Sequence, residues 1–326
     1  MRKATFLPLA FLLGVLPGLA TAQQVGDTVI VTQDAELKVG DEVMQTIPAG
    51  QGLQVLNVNG DWLWVSREAA GWINNKFVTP ASQALDSYTE QIRLNPGDPK
   101  AYVARGRVWE AKGELDIAIL DYSQAIRINP RAADALSSRG NAWTRKGEYD
   151  KAIADYEEMI DGNLSVAQAY NSRATALYLR REYERALADY NEALERDPKS
   201  ASTWYNRGNT RYQRGEYQQA IADCNEAIRL DPKFSSAYLA LAGLYANCPD
   251  SAFRNLKKAV DNAAKACELV GWNDAPRLGL LAAIFDATGN FDEAVKWQSK
   301  AVQSADARLK PAYQARLDVY KSRKRK

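Results

Sequence analysis

Between Pro99 and Phe234 the sequence returns to itself every 34 residues, in copies 99–132, 133–166, 167–200 and 201–234. One column of this register holds Gly106, Gly140, Ala174 and Gly208, another Ala118, Ala152, Ala186 and Ala220, and a third Tyr122, Tyr156, Tyr190 and Cys224. Pro130, Pro198 and Pro232 close three copies, while Leu164 stands at that place in the second. A period of this size points to stacked supersecondary units, each burying its apolar face only against its neighbours, and not to one closed globule.

Within a copy the chemistry is that of a helical hairpin. In 201–234, Trp204 to Tyr212 leads through Gly215 to a second run from Ala220 to Ile228, both with apolar or small residues at helical spacing. Pro232 ends the second helix, because its ring clashes with the preceding turn. The small residues at the eighth and twentieth places are nearly equidistant from the turn and are expected to face each other where the helices come closest. The expected fold is an α-solenoid. Four arginines, Arg105, Arg139, Arg173 and Arg207, each precede an aspartate by 16 residues: Asp121, Asp155, Asp189 and Asp223. Each couple is symmetric about its turn, so a structural interhelical ion pair is expected in every unit. An acid–base role would not need four copies.

The motif Trp/Tyr-x3-Gly-x2-Trp/Tyr followed by Gly-x-Tyr-x2-Ala-x3-Tyr-x2-Ala-x4-Pro resembles the tetratricopeptide repeat. The second copy departs from it at Met159 and Leu164. The resemblance implies a right-handed superhelix whose concave wall, lined by the first helices, binds a peptide or another protein. It also implies which places line that wall: Arg107, Glu110, Asn141, Arg145, Asn171, Thr175, Tyr178, Tyr205, Asn206, Asn209 and Tyr212. The lysines with which some members clamp a C-terminal carboxylate are missing, since the fifth places hold Val103, Ser137, Asn171 and Tyr205.

Around the repeats the chain changes character. Arg2-Lys3, an apolar run from Phe6 to Leu19 and Ala20-Thr21-Ala22 read as a secretory signal (1–22) cleaved after Ala22. The run is shorter than a bilayer requires and is broken by Pro8 and Pro17. Without Arg2 and Lys3 the 42 basic residues fall level with the 40 acidic ones, and a neutral exported chain has no electrostatic footprint for nucleic acid. Residues 23–80 lose the helical period. Thr28–Thr32, Leu53–Val58, Trp62–Val65 and Gly71–Ile73 are short β-branched and aromatic runs separated by Gly40-Asp41, Ala49-Gly50 and the hairpin signal Asn59-Gly60-Asp61. The stretch Ile47-Pro48-Ala49-Gly50 to Gly71-Trp72-Ile73 resembles a bacterial SH3-like domain. That likeness implies a small β-barrel binding peptide or cell-wall peptidoglycan, with Trp62, Trp64 and Trp72 as aromatic candidates.

Ala84, Tyr88 and Pro96 lie one period before Ala118, Tyr122 and Pro130, so 81–98 is a half-repeat helix coupling the β domain to the array. After Phe234 a fifth unit is stretched at Asn247-Cys248-Pro249-Asp250, and a sixth follows, the array spanning 99–308. Residues 309–326 form a capping helix with Tyr313, Leu317 and Tyr320 on one stripe, then a basic tail expected to be solvated. Cys224, Cys248 and Cys267 are expected to be buried free thiols, the last two standing too far apart for a disulfide.

The chain contains no histidine, which removes the commonest general base, Ser-His-Asp and Cys-His machinery and most zinc sites. Neither a G-x-x-x-x-G-K-[ST] loop nor a G-x-G-x-x-G fingerprint occurs. The sequence thus reads as an exported, non-enzymatic interaction scaffold with no catalytic residue, metal or cofactor, binding a protein or peptide. The alternative is a wall-binding protein in which the repeats are a spacer.

Overall fold

The computed structural model describes residues 24–39, 42–47, 50–66 and 70–324; the segment read as a signal, Gly40-Asp41, Pro48-Ala49, residues 67–69 and Arg325-Lys326 lie outside the described residues. Seven strands come first: β1 (Thr28–Val31), β2 (Ala35–Val39), β3 (Glu42–Ile47), β4 (Gly52–Asn59), β5 (Trp62–Ser66), β6 (Ala70–Asn74) and β7 (Val78–Pro80). They form one antiparallel sheet in the order β3-β2-β6-β5-β4-β1-β7. Alternation builds its core, because every second side chain points inward. Val29 and Val31, Leu53 and Val55, and Leu63 and Val65 are buried together with Leu37 and Ile73. Asn59 pairs with Trp62 across a left-handed Gly60, the hairpin expected there. β2, β3 and β7 were not expected. β2, Ala-Glu-Leu-Lys-Val, alternates apolar and charged residues but lacks the β-branched and aromatic density of the other runs, and β7 is three residues ending in a proline that only an edge strand admits.

Fourteen helices follow among the described residues: α1 (Ala81–Leu94), α2 (Pro99–Ala111), α3 (Leu115–Ile128), α4 (Ala133–Lys146), α5 (Tyr149–Asp161), α6 (Val166–Leu179), α7 (Tyr183–Arg196), α8 (Ala201–Gln213), α9 (Tyr217–Leu230), α10 (Ser235–Asn247), α11 (Leu256–Glu268), α12 (Ala275–Ala287), α13 (Phe291–Ser304) and α14 (Lys310–Lys324). Each is 13 to 15 residues long, too short to be stable in water alone, so stability comes from packing on neighbours. Gly113, Gly147 and Gly215 turn three hairpins with positive φ, and at the same place in the third unit Arg181 is forced to φ 64°. Where Leu164 replaces proline, the link passes through left-handed Asn163 and Ser165.

The first two eighth-place glycines serve a different contact from the one expected. A Cβ at Gly106 would stand 2.6 Å from the Tyr122 ring, and one at Gly140 would stand 2.7 Å from that of Tyr156. In these two units the glycine makes room for the tyrosine of the twenty-fourth place, whereas in the fourth a Cβ at Gly208 would meet the Ala220 carbonyl and the Cys224 sulfur, both at 3.2 Å, the close approach of eighth and twentieth places that was expected. The Tyr122, Tyr156 and Tyr190 rings are the largest fully buried side chains among the described residues. The described part of the basic tail, 321–324, is exposed as expected but ordered: it stays helical to Lys324, Arg323 pairs with Asp286, and Lys324 reaches Asp292. All three cysteines are buried and free.

The β domain is packed between α1 and α2 on one side and residues 233–271 of the array on the other. Ile30, on the outer face of β1, is buried with Ala81, Ala84, Leu85 and Val108 of α1 and α2. Gly52 lies so close to α2 that a Cβ there would meet the Ala111 Cβ at 2.2 Å. On the opposite side the Lys233 Nζ donates to the Val43 carbonyl at 2.8 Å, and Val39 packs on Gly271, in the turn after α11. The solenoid therefore curves far enough to grip one small domain between α2 and residues 233–271.

Candidate functional site

The four arginine–aspartate couples meet across their hairpins. In each, the Nε and one terminal nitrogen donate to the two carboxylate oxygens at 2.6 to 3.0 Å. The planar fork fits a carboxylate, which is why arginine and not lysine recurs. The remaining nitrogen reaches back 16 residues to the preceding unit: Thr89 for Arg105, Ser123 for Arg139, Glu157 for Arg173 and Asn191 for Arg207. Each arginine thus joins three consecutive helices, and the couples form a ladder down the array. The hydrogen bond from Asp121 raises the pKa of Arg105, and Asp189 does the same for Arg173. Burial pushes Asp155 above the ordinary aspartate range even against Arg139.

The inner wall is built by α2, α4, α6 and α8. Part of what the resemblance assigned to it is used internally. The Tyr156 hydroxyl donates to Asn141 Oδ1 at 2.8 Å, and Thr175 meets the Tyr190 hydroxyl at 3.2 Å while donating to the Asn171 carbonyl. Burial raises both tyrosines, Tyr156 to about 12, so these hydroxyls stay protonated donors. Asn206 donates to Asn171 Oδ1 at 3.3 Å, linking α8 to α6. Tyr205 packs edge-on against Phe234 at 5.2 Å between centroids, Tyr178 against Tyr183 and Tyr212 against Tyr217. Tyr178, Tyr205, Asn206 and Tyr212 are half-buried.

At the first two units the groove becomes a chamber of about 510 Å³ roofed by the start of β4. Gln51 and Gln54 face Arg107, Ser137, Asn141 and Gln168 across it. Glu110 accepts from the Tyr122 hydroxyl and from Arg145, both at 2.8 Å, whereas Arg107 makes no ion pair among the described residues. Sequence reasoning placed Arg107 and Asn141 here but missed the roof, because nothing local to Gln51 announces a partner so far along the chain. A second cavity of about 310 Å³ lies at Asn209 and Tyr212.

The three tryptophans do not act together. Trp62 is 42% exposed at the hairpin tip, while Trp64 is 9% exposed, stands edge-on to Trp72 at 5.3 Å and lies beside Gly271 of the array. Their shared outer face is partly the docking face for the repeats.

Comparison with known proteins agrees with this architecture. Tetratricopeptide-repeat families match residues 81–130, 111–171, 167–200 and 201–234. Residues 81–234 are tetratricopeptide repeats. A chain of the APC/C hetero-tetramer Cut9–Hcn1 superposes with TM-score 0.61 at 13% identity over 74% of this chain and 46% of its own. The present chain thus spans less than half of that relative. PilF of Pseudomonas aeruginosa gives TM-score 0.53 at 21% identity, covering 67% of this chain and 96% of its own. A tetratricopeptide repeat protein from Parabacteroides merdae gives 0.52 at 21%, covering 74% and 92%. At these identities the likeness carries the fold. No curated protein matches the chain.

Proposed function

We propose that this protein is a non-enzymatic adaptor, exported to the cell envelope, whose tetratricopeptide array holds an extended polypeptide along its inner wall. The observation that carries the reading is the surplus polarity of that wall. Beyond the arginine ladder and the tyrosine hydroxyls, Arg107 and Asn209 line the groove, and the Gln168 and Asn206 amides, which donate to Ser137 and Asn171, keep further donor and acceptor capacity beside Tyr178, Tyr205 and Tyr212. Amides can donate to and accept from any peptide backbone, and tyrosines add flat apolar area at low entropic cost. The Cut9–Hcn1 relative is a hetero-tetramer, a precedent for protein assembly on this fold. The signal-like segment supports export, which fractionation of the native host tests.

A photoreactive p-benzoylphenylalanine at Gln168 or Tyr205, on the inner wall, should yield polypeptide adducts in the native host. The same group at Leu120 or Ala188, exposed on second helices, should not. Equal labelling of both sides would count against the groove. Binding of wall polymer through the tryptophans has less support, since Trp64 is covered by the array and Trp62 is the one exposed indole of the three.

A further inference from the structure

Three of the regular units fill the gap between their two helices with their own tyrosine. The rings of Tyr122 and Tyr156 lie on the eighth-place glycine, and the three hydroxyls are received by Glu110, Asn141 and Thr175 at the ninth or twelfth place. Ser138, from the next unit, also faces the Tyr122 hydroxyl. In the fourth unit the twenty-fourth place is Cys224, and here the structure has the cavity of about 310 Å³. Its walls are the register equivalents of the residues that surround a ring elsewhere: Gly208, Asn209 and Tyr212 of the same unit, and Ala240 where the second unit has Ser138. Gly243, at the ninth place of the next unit, adds no side chain to this wall, and a Cβ there would meet nothing within 4 Å. The cavity therefore communicates with the groove past Gln213 and Asn247, both exposed.

The geometry points to this cavity as a socket for a phenolic side chain, a tyrosine of the bound polypeptide, taking the place that Tyr122, Tyr156 and Tyr190 occupy in their own units. This deepens the adaptor reading and rests on it. The ring would lie against Gly208, Ala220 and Leu244, and its hydroxyl would donate to Asn209 as that of Tyr156 donates to Asn141. An aromatic ring is a large apolar payload with one polar handle, and a mixed cavity with amide acceptors at its edge suits it. Burial pushes the Cys224 thiol up to about 12, so it acts as wall and not as nucleophile.

The test titrates the full chain with N-acetyl-tyrosinamide, with N-acetyl-phenylalaninamide and N-acetyl-alaninamide beside it, by NMR or calorimetry. Saturable binding of the tyrosine probe is expected, weaker for phenylalanine and absent for alanine. Cys224→Tyr returns the chain's own ring to the socket and should weaken the tyrosine probe by at least about tenfold. Should that variant misfold, Gly243→Met closes the cavity from its open side and should do the same. No saturable binding to the native chain, or unchanged affinity in the closed variants, overturns the socket. Inner-wall adducts at Tyr205 with no probe binding would overturn the socket and leave the adaptor standing. Probe binding lost in Cys224→Tyr, with no adducts at Tyr205, would do the reverse.

Discussion

Asp155 carries the sharpest energetic consequence of the arginine ladder. Its carboxylate is buried, and burial lifts its pKa despite two-nitrogen contact with Arg139. Removing the arginine strands a charge, whereas removing the charge leaves a polar group that can still accept a hydrogen bond. Arg139→Ala should therefore cost about 3 kcal/mol and Asp155→Asn distinctly less, read as urea midpoints. The pH dependence has a definite sign. A carboxyl whose folded pKa is raised favours the folded state at low pH and loses that contribution as pH rises through the raised value. The deficit of Arg139→Ala should accordingly shrink on acidification from neutral pH, and a deficit that grows would exclude this electrostatic account. Arg181 offers the opposite kind of change. It sits at φ 64° where three other units use glycine, a conformation costing a non-glycine residue about 1 kcal/mol or more. Arg181→Gly should raise the midpoint, although glycine's freedom in the unfolded chain trims the gain.

Among the elements, α14 explains how an array that could grow indefinitely stops. Leu317 and Tyr320 are buried on it, Tyr313 packs so tightly on Gly279 that a Cβ there would stand at 2.8 Å, and Gln298 of α13 donates to the Tyr313 carbonyl at 2.8 Å. Its opposite face is exposed and charged, as the last layer of a stack requires. Truncation after Ala305 should forfeit the burial of those two side chains, about 4 kcal/mol at roughly 2 each. Hydrogen exchange should then accelerate in α12 and α13 while α4 to α7 stay protected, because each unit contacts only its neighbours. Uniform acceleration would contradict a one-dimensional stack.

For the whole molecule, the distinctive feature is a β domain held between α2 and residues 233–271. The close approach of Gly52 to Ala111 leaves no room for a side chain. Gly52→Leu should push β4 off α2, enlarge the radius of gyration in solution scattering and expose the segment 78–82 to limited proteolysis. The four central units should unfold at an unchanged urea concentration. An unchanged radius would mean that this contact does not hold the domain in place.

The 34-residue register was sufficient for the hairpins, their turns, the arginine couples and the identity of the inner helices, because each of these depends on residues within one period. The same locality made the half-repeat α1 and the Asn59-Gly60 hairpin legible. The glycine–tyrosine contact at Gly106 and Gly140 was visible as two columns but not as a pair, although the expected approach to the twentieth place does occur at Gly208, since spacing alone does not weigh a ring against an alanine methyl. The roof over Arg107 and Asn141, the covering of Trp64 and the placement of Val39 on Gly271 were decided by the tertiary fold. They depend on the summed curvature of five hairpins, to which every interface adds a small rotation that no single repeat records.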